Sequence, residues 1–564
     1  MFRSKIFDKI AGYLLPKWSR FCNYDSAPLG RIWLFWKSHV TIRISSSNHE
    51  AIHCHVVDNI TKRYMFASFV YVDNSLDQRR QLWDELVALS RVLPEMPWIL
   101  GGDFNEVRYL QERSNWIQNM HFSKDSVLFN DKLNEAELSD LPAFGPKYTW
   151  LNKRIEGLIV KKLDRLLVNS TWFSTFPRTR AEFLPPDISD HCAGSVTIME
   201  VAAQNTRKPF KFFNFWTKNE QFLNIVQEVW SSVTVSGCYM FQLCKKLKAL
   251  KAPLRQLNKD CYNDLQGRIQ QETSKLHAIQ IDLLANPHED LVLVEQEQAR
   301  RVVELSLAEE AFLKQKSRVH WLQEGDQNTT YFHKVMKVRQ SKNLIKELHT
   351  EDGKILTKHE DIANEAIVFY QALLGSEDPY CTGGDLDQLK ALFDFQLSEA
   401  TREALIQLVT AEECRLVLFS SPKNKSPGPD GYTIEFYKSA WSIVGDLVTR
   451  AVQEFFSTGK LLKEVNSTII SLVPKVSCPS KMTEFRPISC YNLIYKCITK
   501  IIANRLKECL PLFISSNQCA FVEGRLMVEN ILLAQELVKN YHKPNMKPRC
   551  ALKIDLMKAF DSVS

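Results

Sequence analysis

Three short stretches within the first 200 residues carry acidic and imidazole groups that a fold could gather into one site. The first is Gly101-Gly102-Asp103-Phe104-Asn105, directly after the apolar run Trp98-Ile99-Leu100. Paired glycines let a chain turn sharply at a strand end, and residues two apart then leave the turn on the same side. A carboxylate there can bind a divalent cation or move a proton, although Gly-Gly-Asp turns also serve purely structural ends. The second is Ser189-Asp190-His191, which sets a carboxylate beside an imidazole. That pair suits metal-assisted hydrolysis, with His191 as proton carrier or phosphate ligand. Between them lies Leu163-Asp164-Arg165-Leu166-Leu167-Val168. Asp164 is a candidate orienting partner for His191; the plainer alternative is a salt bridge to Arg165 or Lys161.

A second group of candidates lies near the other end. Ser426-Pro427-Gly428-Pro429-Asp430-Gly431 fixes a turn ahead of a helical region, as ordinary linkers also do. Ile469-Ile470-Ser471-Leu472-Val473-Pro474-Lys475 reads as a strand ending in a lysine, and Phe485-Arg486-Pro487-Ile488-Ser489 puts an arginine at the start of another turn. Lys475 and Arg486 on adjacent strands could clamp a triphosphate; the alternative is two exposed cations. Cys550-Ala551-Leu552-Lys553-Ile554-Asp555 is a short apolar strand that ends in Asp555. A carboxylate at a strand tip is where the Mg²⁺ sites of nucleotidyl transfer are built, and Phe560 would stand beside the incoming sugar.

The elements that must position these groups follow from local patterning. β-branched and aromatic runs at 31–44, 51–57 and 64–72 predict successive strands. Leu82, Leu86, Leu89 and Leu93 fall at helical spacing, so 76–93 is expected to be a helix that Pro94 and Pro97 end. Strands and helices alternate to about residue 198, the pattern of an α/β layered domain. From Phe241 the apolar residues keep a three/four rhythm as far as Leu283, Asn286-Pro287 interrupts it, and a second helical pattern runs from Glu289 to Val319. Two long helices joined by a tight turn are expected, each burying the other's stripe, with self-association through 241–319 as the alternative use.

Composition sets the outer limits. Of 564 residues 45% are hydrophobic and only 41 are Gly or Pro, which excludes collagenous and disordered classes. The net charge of +7 is localised: residues 461–564 hold 15 Lys and Arg against 8 Asp and Glu, and the remainder holds 57 of each sign. Such a surplus suits a polyanionic partner or a solvated surface. No apolar run reaches the length of a membrane span, and the N-terminal 21 residues lack the apolar core of a secretion signal. The 14 cysteines show no Cys-x-x-Cys pair, and reduced thiols in an intracellular protein, nuclear or cytoplasmic, are expected. His53 and His55 share a strand face without a third ligand nearby, so a structural role is expected for both.

Taken together, Phe69-Val70-Tyr71-Val72-Asp73-Asn74, Gly102-Asp103-Phe104-Asn105, Tyr148-Thr149-Trp150, Leu163-Asp164-Arg165 and Ser189-Asp190-His191 resemble the apurinic-type endonuclease domain of LINE-type (non-long-terminal-repeat) retrotransposons. The resemblance implies that Tyr71 and Asn74 line the cleft and that Asp103 and Asn105 activate water and position the phosphate. It further implies that Asp164 holds His191, that Asp190 and His191 close the site, and that Asp190 is a metal ligand. The family's opening strands, with their Asn and Mg²⁺-binding Glu, have no counterpart here: Asn23 and Glu50 are the first such residues, and Glu50 follows a polar loop. From about Ala411 onward the loop, Leu-Val-Pro-Lys, Phe-Arg-Pro-Ile-Ser, the 517–525 stretch and Lys553-Ile554-Asp555 resemble, in order, the fingers and early palm of the same elements' reverse transcriptase. That implies triphosphate contacts for Lys475 and Arg486, metal binding by Asp555, and a gating role for Phe560; no Tyr-x-Asp-Asp occurs in the sequence.

The expected architecture is α/β. It comprises a truncated four-layer sandwich of the endonuclease/exonuclease/phosphatase type at 1–200, a long, mostly helical linker with a hairpin at 201–410, and partial α+β reverse transcriptase fingers and palm at 411–564. A complete relative would nick DNA and copy element RNA with Mg²⁺. This chain is expected to bind DNA and RNA with both sites incomplete. The alternative is a non-enzymatic nucleic-acid-binding or helical interaction protein derived from such an element.

Overall fold

The computed structural model describes residues 4–27, 30–73, 76–114, 123–199, 209–317, 329–375, 385–391, 395–422, 425–476, 478–519, 522–539, 541, 550, 552 and 554. In space the chain forms two compact units, one of residues 1–205, 330–357 and 474–485, the other of 206–329, 358–473 and 486–564.

The first unit begins with α1 (Ser4–Leu14) and the hairpin β1 (Ser19–Cys22) and β2 (Trp33–Trp36). There follow β3 (Val40–Ser47), β4 (Ala51–Asp58), β5 (Arg63–Tyr71), α2 (Leu76–Val92), β6 (Trp98–Asp103), α3 (Lys124–Glu135), β7 (Ser139–Asp140) and β8 (Ala143–Phe144). It continues through β9 (Trp150–Leu151), β10 (Val160–Lys161), β11 (Asp164–Val168), α4 (Ser170–Thr175), β12 (Thr179–Phe183) and β13 (Gly194–Ile198). One sheet has the order β3-β4-β5-β6-β11-β7 and a second the order β13-β12-β8. Only β5 and β6 run parallel in the larger sheet, because α2 carries the chain back between them.

Strand periodicity decides which core each residue enters. Leu167 joins Trp98, Leu100 and Phe104 under the helices α2 and α3, whereas its neighbours Leu166 and Val168 face α4 and the smaller sheet beside Trp172 and Phe183. The expected helix and strands at 51–100 form where the pattern places them. Leu82, Leu86 and Leu93 are buried, and each such side chain contributes about 1.5–3 kcal/mol. Helix α3 starts where Ser123 Oγ accepts from the Ser126 N–H, and α4 where the Asn169 side chain accepts from Trp172 N–H.

Later in the chain come α5 (Gln221–Ser232), α6 (Tyr239–Tyr262), α7 (Leu265–Ala285), α8 (Glu289–Ser317), α9 (Thr329–Asn343), β14 (Leu348–His349), β15 (Ile355–Leu356) and α10 (His359–Gly375). The remainder holds α11 (Leu386–Ala391), α12 (Glu399–Ile406), α13 (Ala411–Phe419), α14 (Ile434–Ser439), α15 (Trp441–Thr458), β16 (Thr468–Pro474), β17 (Phe485–Tyr491), α16 (Leu493–Phe513) and α17 (Met527–Val538).

The helical rhythm of 241–283 is two helices rather than one. Asp264 adopts a left-handed φ of +52° and its side chain accepts from Gly267 N–H, capping α7 and breaking the run. Nor is α8 the main partner of the α6 stripe, as its spacing suggested. Leu243, Leu247, Leu250 and Leu254 enter one core with Phe212, Phe222, Val444, Val448 and Ile498, and it is α7 and α8 that pair. Residues 210–265 therefore share a hydrophobic core with residues 409–465 and 493–501. The 426–431 loop helps to join them: Tyr432 Oη donates to Leu247 O at 2.7 Å, and Phe212 N–H donates to Gly431 O at 2.9 Å. Gly431 has φ +82°, and a Cβ there would meet Phe210 O at 2.2 Å, so only glycine fits.

His53 and His55 follow the structural expectation. The Trp98 indole N–H donates to Ser68 Oγ (2.9 Å), which lies 2.7 Å from His53 Nδ1, and His55 stacks on Tyr64. Burial pushes the His53 imidazole down to about 4, so it stays neutral in the fold. A folded value below the unfolded one contributes stability above about pH 6.5 that is lost as pH falls toward 4. In urea denaturation of the full chain, the stability advantage of wild type over His53→Gln is expected to shrink across that window by at most roughly 3 kcal/mol. A difference independent of pH would contradict this assignment.

Candidate metal-binding catalytic site

The register of three strands builds the site. Tyr71 of β5 lies opposite Asp103 of β6, and Asp103 lies opposite Asp164 of β11, so the three share a row and a face at one end of the larger sheet. The close approach of β5 and β6 depends on Gly102, where a Cβ would meet Val70 O at 1.8 Å. Beyond the strand, Asn105 turns the chain with φ +49° and donates its N–H to Asp103 Oδ1 at 2.9 Å. Phe104 is buried against Trp83 and Phe129, which anchors the turn from below.

His191 is brought to this row by the segment around Thr149. The buried Thr149 Oγ1 accepts from the N–H groups of Leu163 (3.0 Å) and Asp164 (2.9 Å), while its carbonyl accepts from Cys192 N–H at 2.8 Å. Thr149 thereby ties the start of β11 to the strand that delivers His191. His191 Nδ1 lies 3.0 Å from Asp164 Oδ2, and its Nε2 lies 3.9 Å from Asp103 Oδ2. Asp190 stands outside this group: its exposed carboxylate accepts from the Trp150 indole N–H at 3.1 Å.

Burial pushes the Asp103 carboxyl up to about 6; the Asp164 charge adds to the rise, and the Asn105 N–H, His191 and Arg79 oppose it. The Asp164 hydrogen bond raises His191 above its ordinary value. Asp190 experiences some desolvation, but hydrogen bonds from its own backbone and from Trp150, with the His191 and Lys153 charges, bring its carboxyl below the usual range. Ligating atoms of Asp103, Asp164 and His191 all lie within 4.8 Å of one another, the one such group among the described residues. Two carboxylate oxygens and an imidazole nitrogen can hold a divalent cation, with Asp103 as the carboxylate not committed to His191. The gathered set is thus Asp103, Asp164 and His191, and Asp190, which the resemblance gave as a metal ligand, stands outside it.

Several supports were not foreseen. Glu50 precedes β4 in a bend, as its polar surroundings indicated, yet it is buried: Oε1 accepts from Asp73 N–H and its carbonyl from Tyr71 N–H, both at 2.8 Å. Arg31 pairs with Asp73 Oδ2 at 2.7 Å and lies over the Tyr71 ring, and Arg79 donates to Asp73 O. The buried Arg165, next to Asp164, pairs with Asp140 and Glu112. Thr149, Asp73 and Arg165 lie within motifs quoted from the sequence, whereas Glu50, Arg31 and Arg79 carried no such signal. Asn23, also buried, accepts from Ile32 N–H and donates to Asn48 O.

Lys475 and Arg486 are exposed, Lys475 just past β16 with Nζ on Thr483 O at 2.8 Å, and Arg486 in β17. Asn74, Asp555 and Phe560 lie outside the described residues.

Comparison with known proteins assigns both portions. The Endonuclease/Exonuclease/phosphatase family matches residues 6–191, and Reverse transcriptase (RNA-dependent DNA polymerase) matches residues 473–564. The chain is 27% identical over 507 residues to the Xenopus laevis "Transposon TX1 uncharacterized 149 kDa protein", covering 88% of this chain and 38% of that one. It is 26% identical over 141 residues to the "Retrovirus-related Pol polyprotein from type-2 retrotransposable element R2DM" of Drosophila melanogaster, covering 25% of this chain and 13% of the relative. A solved D. rerio TDP2 complexed with single-strand DNA product aligns at 13% identity and a TM-score of 0.23, over 34% of this chain and 80% of that one. The chain thus spans less than two fifths of the length of the curated relatives it matches. The chain is similar to non-LTR retrotransposon polyproteins, and its endonuclease/exonuclease/phosphatase match precedes its reverse transcriptase match.

Proposed function

We propose that the first unit cleaves DNA phosphodiesters in the full element protein, through Asp103, Asp164 and His191. The reverse transcriptase portion then copies element RNA from the freed 3′-hydroxyl. The observation that carries the first half is the carboxylate–imidazole–carboxylate arrangement, with His191 Nδ1 on Asp164 and Nε2 facing Asp103. Asp164 fixes the imidazole so that Nδ1 carries its proton toward the carboxylate, and its charge favours the imidazolium. His191 Nε2–H then donates to a phosphate oxygen. Asp103, held near 6, accepts a proton from water close to neutral pH, and Asn105 and Tyr71 orient the phosphate from either side of it. A bound divalent cation would supply charge stabilisation for the phosphate and acidify water. On the reverse transcriptase side, Lys475 and Arg486 contact the triphosphate, Asp555 binds metal and Phe560 gates the sugar.

For the 564-residue chain alone we propose nucleic-acid binding without either reaction. Asp164 is engaged by His191, Asp190 stands apart, and Glu50 is held by the Asp73 N–H, which leaves Asp103 as the principal carboxylate for a cation that prefers several oxygen ligands. The sequence contains Asp555 but no Tyr-x-Asp-Asp to complete a two-metal polymerase site.

With supercoiled plasmid and Mg²⁺ or Mn²⁺, the chain is expected to produce no more nicked product than His191→Ala. Nicking that disappears in His191→Ala would overturn the inactive reading, and processive cDNA in a primer-extension assay would do the same for the polymerase half. The positioning role of Asp164 has its own readout. In NMR titration with chelator present, His191 is expected to titrate above about 6.5 in wild type and to fall in Asp164→Asn. An unchanged His191 titration would remove Asp164 from the site.

A further inference from the structure

Two cysteines meet in the core of the second unit. Cys414, near the start of α13, and Cys497, near the start of α16, are 0% and 1% exposed and share one apolar core with Val448 and Ile498. Their side chains are hydrogen-bonded to each other, which puts the two sulfurs in contact, and both are free thiols. Packing does not require sulfur here. A buried thiol fills space as a small apolar group, and an S–H···S bond is weak. What two touching thiols add is chemistry, because rotation about the Cα–Cβ bonds brings such sulfurs to bonding distance.

The helices that carry them are fixed against each other at this point. Arg505, about two turns further along α16, grips Glu413, the neighbour of Cys414, with Nε on Oε1 at 3.0 Å and Nη2 on Oε2 at 2.7 Å. Its Nη1 donates to Leu405 O (3.1 Å) and Gln407 O (2.6 Å), which ties the approach to α13 to the same helix. Apart from Arg505, little holds that approach: α12 has no buried residue, and Ile406 and Leu408 are exposed. Release of the Arg505 contacts therefore lets α12 and the start of α13 open locally, and a small reagent reaches Cys414 without loss of the main core.

The pair is polarised. The S–H that Cys497 donates to Cys414, ahead of burial, pushes the Cys497 thiol up, and the same hydrogen bond draws the Cys414 thiol below its ordinary value against the effect of burial. Cys414 is thus the nucleophile of the two. In the same core lies the Tyr437 hydroxyl, fully buried and without a hydrogen-bond partner among the described residues. Burial, and after it the charges of a group that includes Cys497, push that hydroxyl well above its ordinary value, so it stays protonated as a donor for a thiolate nearby.

We propose that Cys414 and Cys497 form a reversible dithiol, which glutathione disulfide oxidises to a Cys414–Cys497 bond that locks α13 to α16. The Cys414 thiolate attacks one sulfur of glutathione disulfide and releases one glutathione thiolate, leaving a mixed disulfide. The Cys497 thiolate then attacks Cys414 Sγ and releases the second. The two protons lost by the cysteines end on the two glutathione thiolates, and two electrons pass from the chain to glutathione disulfide. The bond closes a loop over residues 415–496, which contains the 426–431 turn, β16 and β17. The rigidity of that stretch thereby responds to the thiol redox state around the chain.

The test is a peptide map of the full chain, equilibrated anaerobically in glutathione buffers, quenched with acid, alkylated and digested without reduction. A Cys414–Cys497 peptide pair, about 2 Da lighter than the two thiol peptides together, is expected as the major intramolecular crosslink and should disappear with dithiothreitol. Oxidised chain is expected to melt at a higher temperature than reduced chain, because the crosslink restricts the unfolded state. Cys414→Ala should abolish both the crosslink and the melting shift; if that variant does not fold, the wild-type map alone decides. Recovery of both residues as alkylated thiols while the exposed Cys238 and Cys550 are oxidised would overturn the proposal. So would a glutathione adduct on Cys414 without the crosslink, a bond from Cys497 to Cys244 in its place, or a Cys414–Cys497 bond that forms only in urea.

Discussion

Two carboxylates face each other across an antiparallel pair, Asp103 on β6 and Asp164 on β11, and the first unit is arranged around that conflict. Like charges directly opposite in a sheet are destabilising. The register cannot slip to relieve them, because a one-residue shift would exchange Leu166, Leu167 and Val168 between two cores. The conflict is relieved locally. His191 takes a position between the carboxylates, hydrogen-bonding one and facing the other, and burial raises Asp103 so that part of its charge is withheld near neutral pH. Gly102 permits the strand approach, Thr149 fixes the start of β11, and the Arg165 ion pairs hold that strand from its other face.

The same reasoning explains why the site has limited capacity for a cation. Each carboxylate near it has a structural engagement: Asp164 with His191, Asp190 with Trp150, and Glu50 with the Asp73 backbone. Asp103 is the exception in that one oxygen accepts from the Asn105 N–H while the other faces the imidazole. The residue with the most perturbed carboxyl of the cluster is also the one best placed to exchange a proton for a metal ion.

Much of the first unit was legible in the sequence because its signals are local. The β-branched and aromatic runs at 51–57 and 64–72, the leucine spacing of α2 and the Gly-Gly turn each specify an element without tertiary information. The site was legible as types: Asp103, Asp164 and His191 come together as their motifs implied. The sequence did not show that the Asp190 carboxylate lies apart from these three, since adjacency to His191 says nothing about which way a side chain leaves the backbone. Arg31, Arg79 and Glu50 are ordinary charged residues in sequence, and only long-range pairing reveals that they clamp the Tyr71–Asp73 turn. In the second unit the leucine rhythm correctly marked helices but not partners. The α6 stripe packs against α5 and α15, a choice made by Phe212, Tyr432 and the 426–431 loop, far away in the chain.

Our central proposal is that Asp103, beside the hydrogen-bonded Asp164–His191 pair, is the carboxylate that holds a cation, and that Asp190 is not. Titration of the full chain with Mn²⁺, followed by electron paramagnetic resonance of the free ion, tests this most directly. The account predicts a weak site in wild type that is abolished in Asp103→Asn and retained in Asp190→Asn. A site that survives Asp103→Asn and disappears in Asp190→Asn would contradict it.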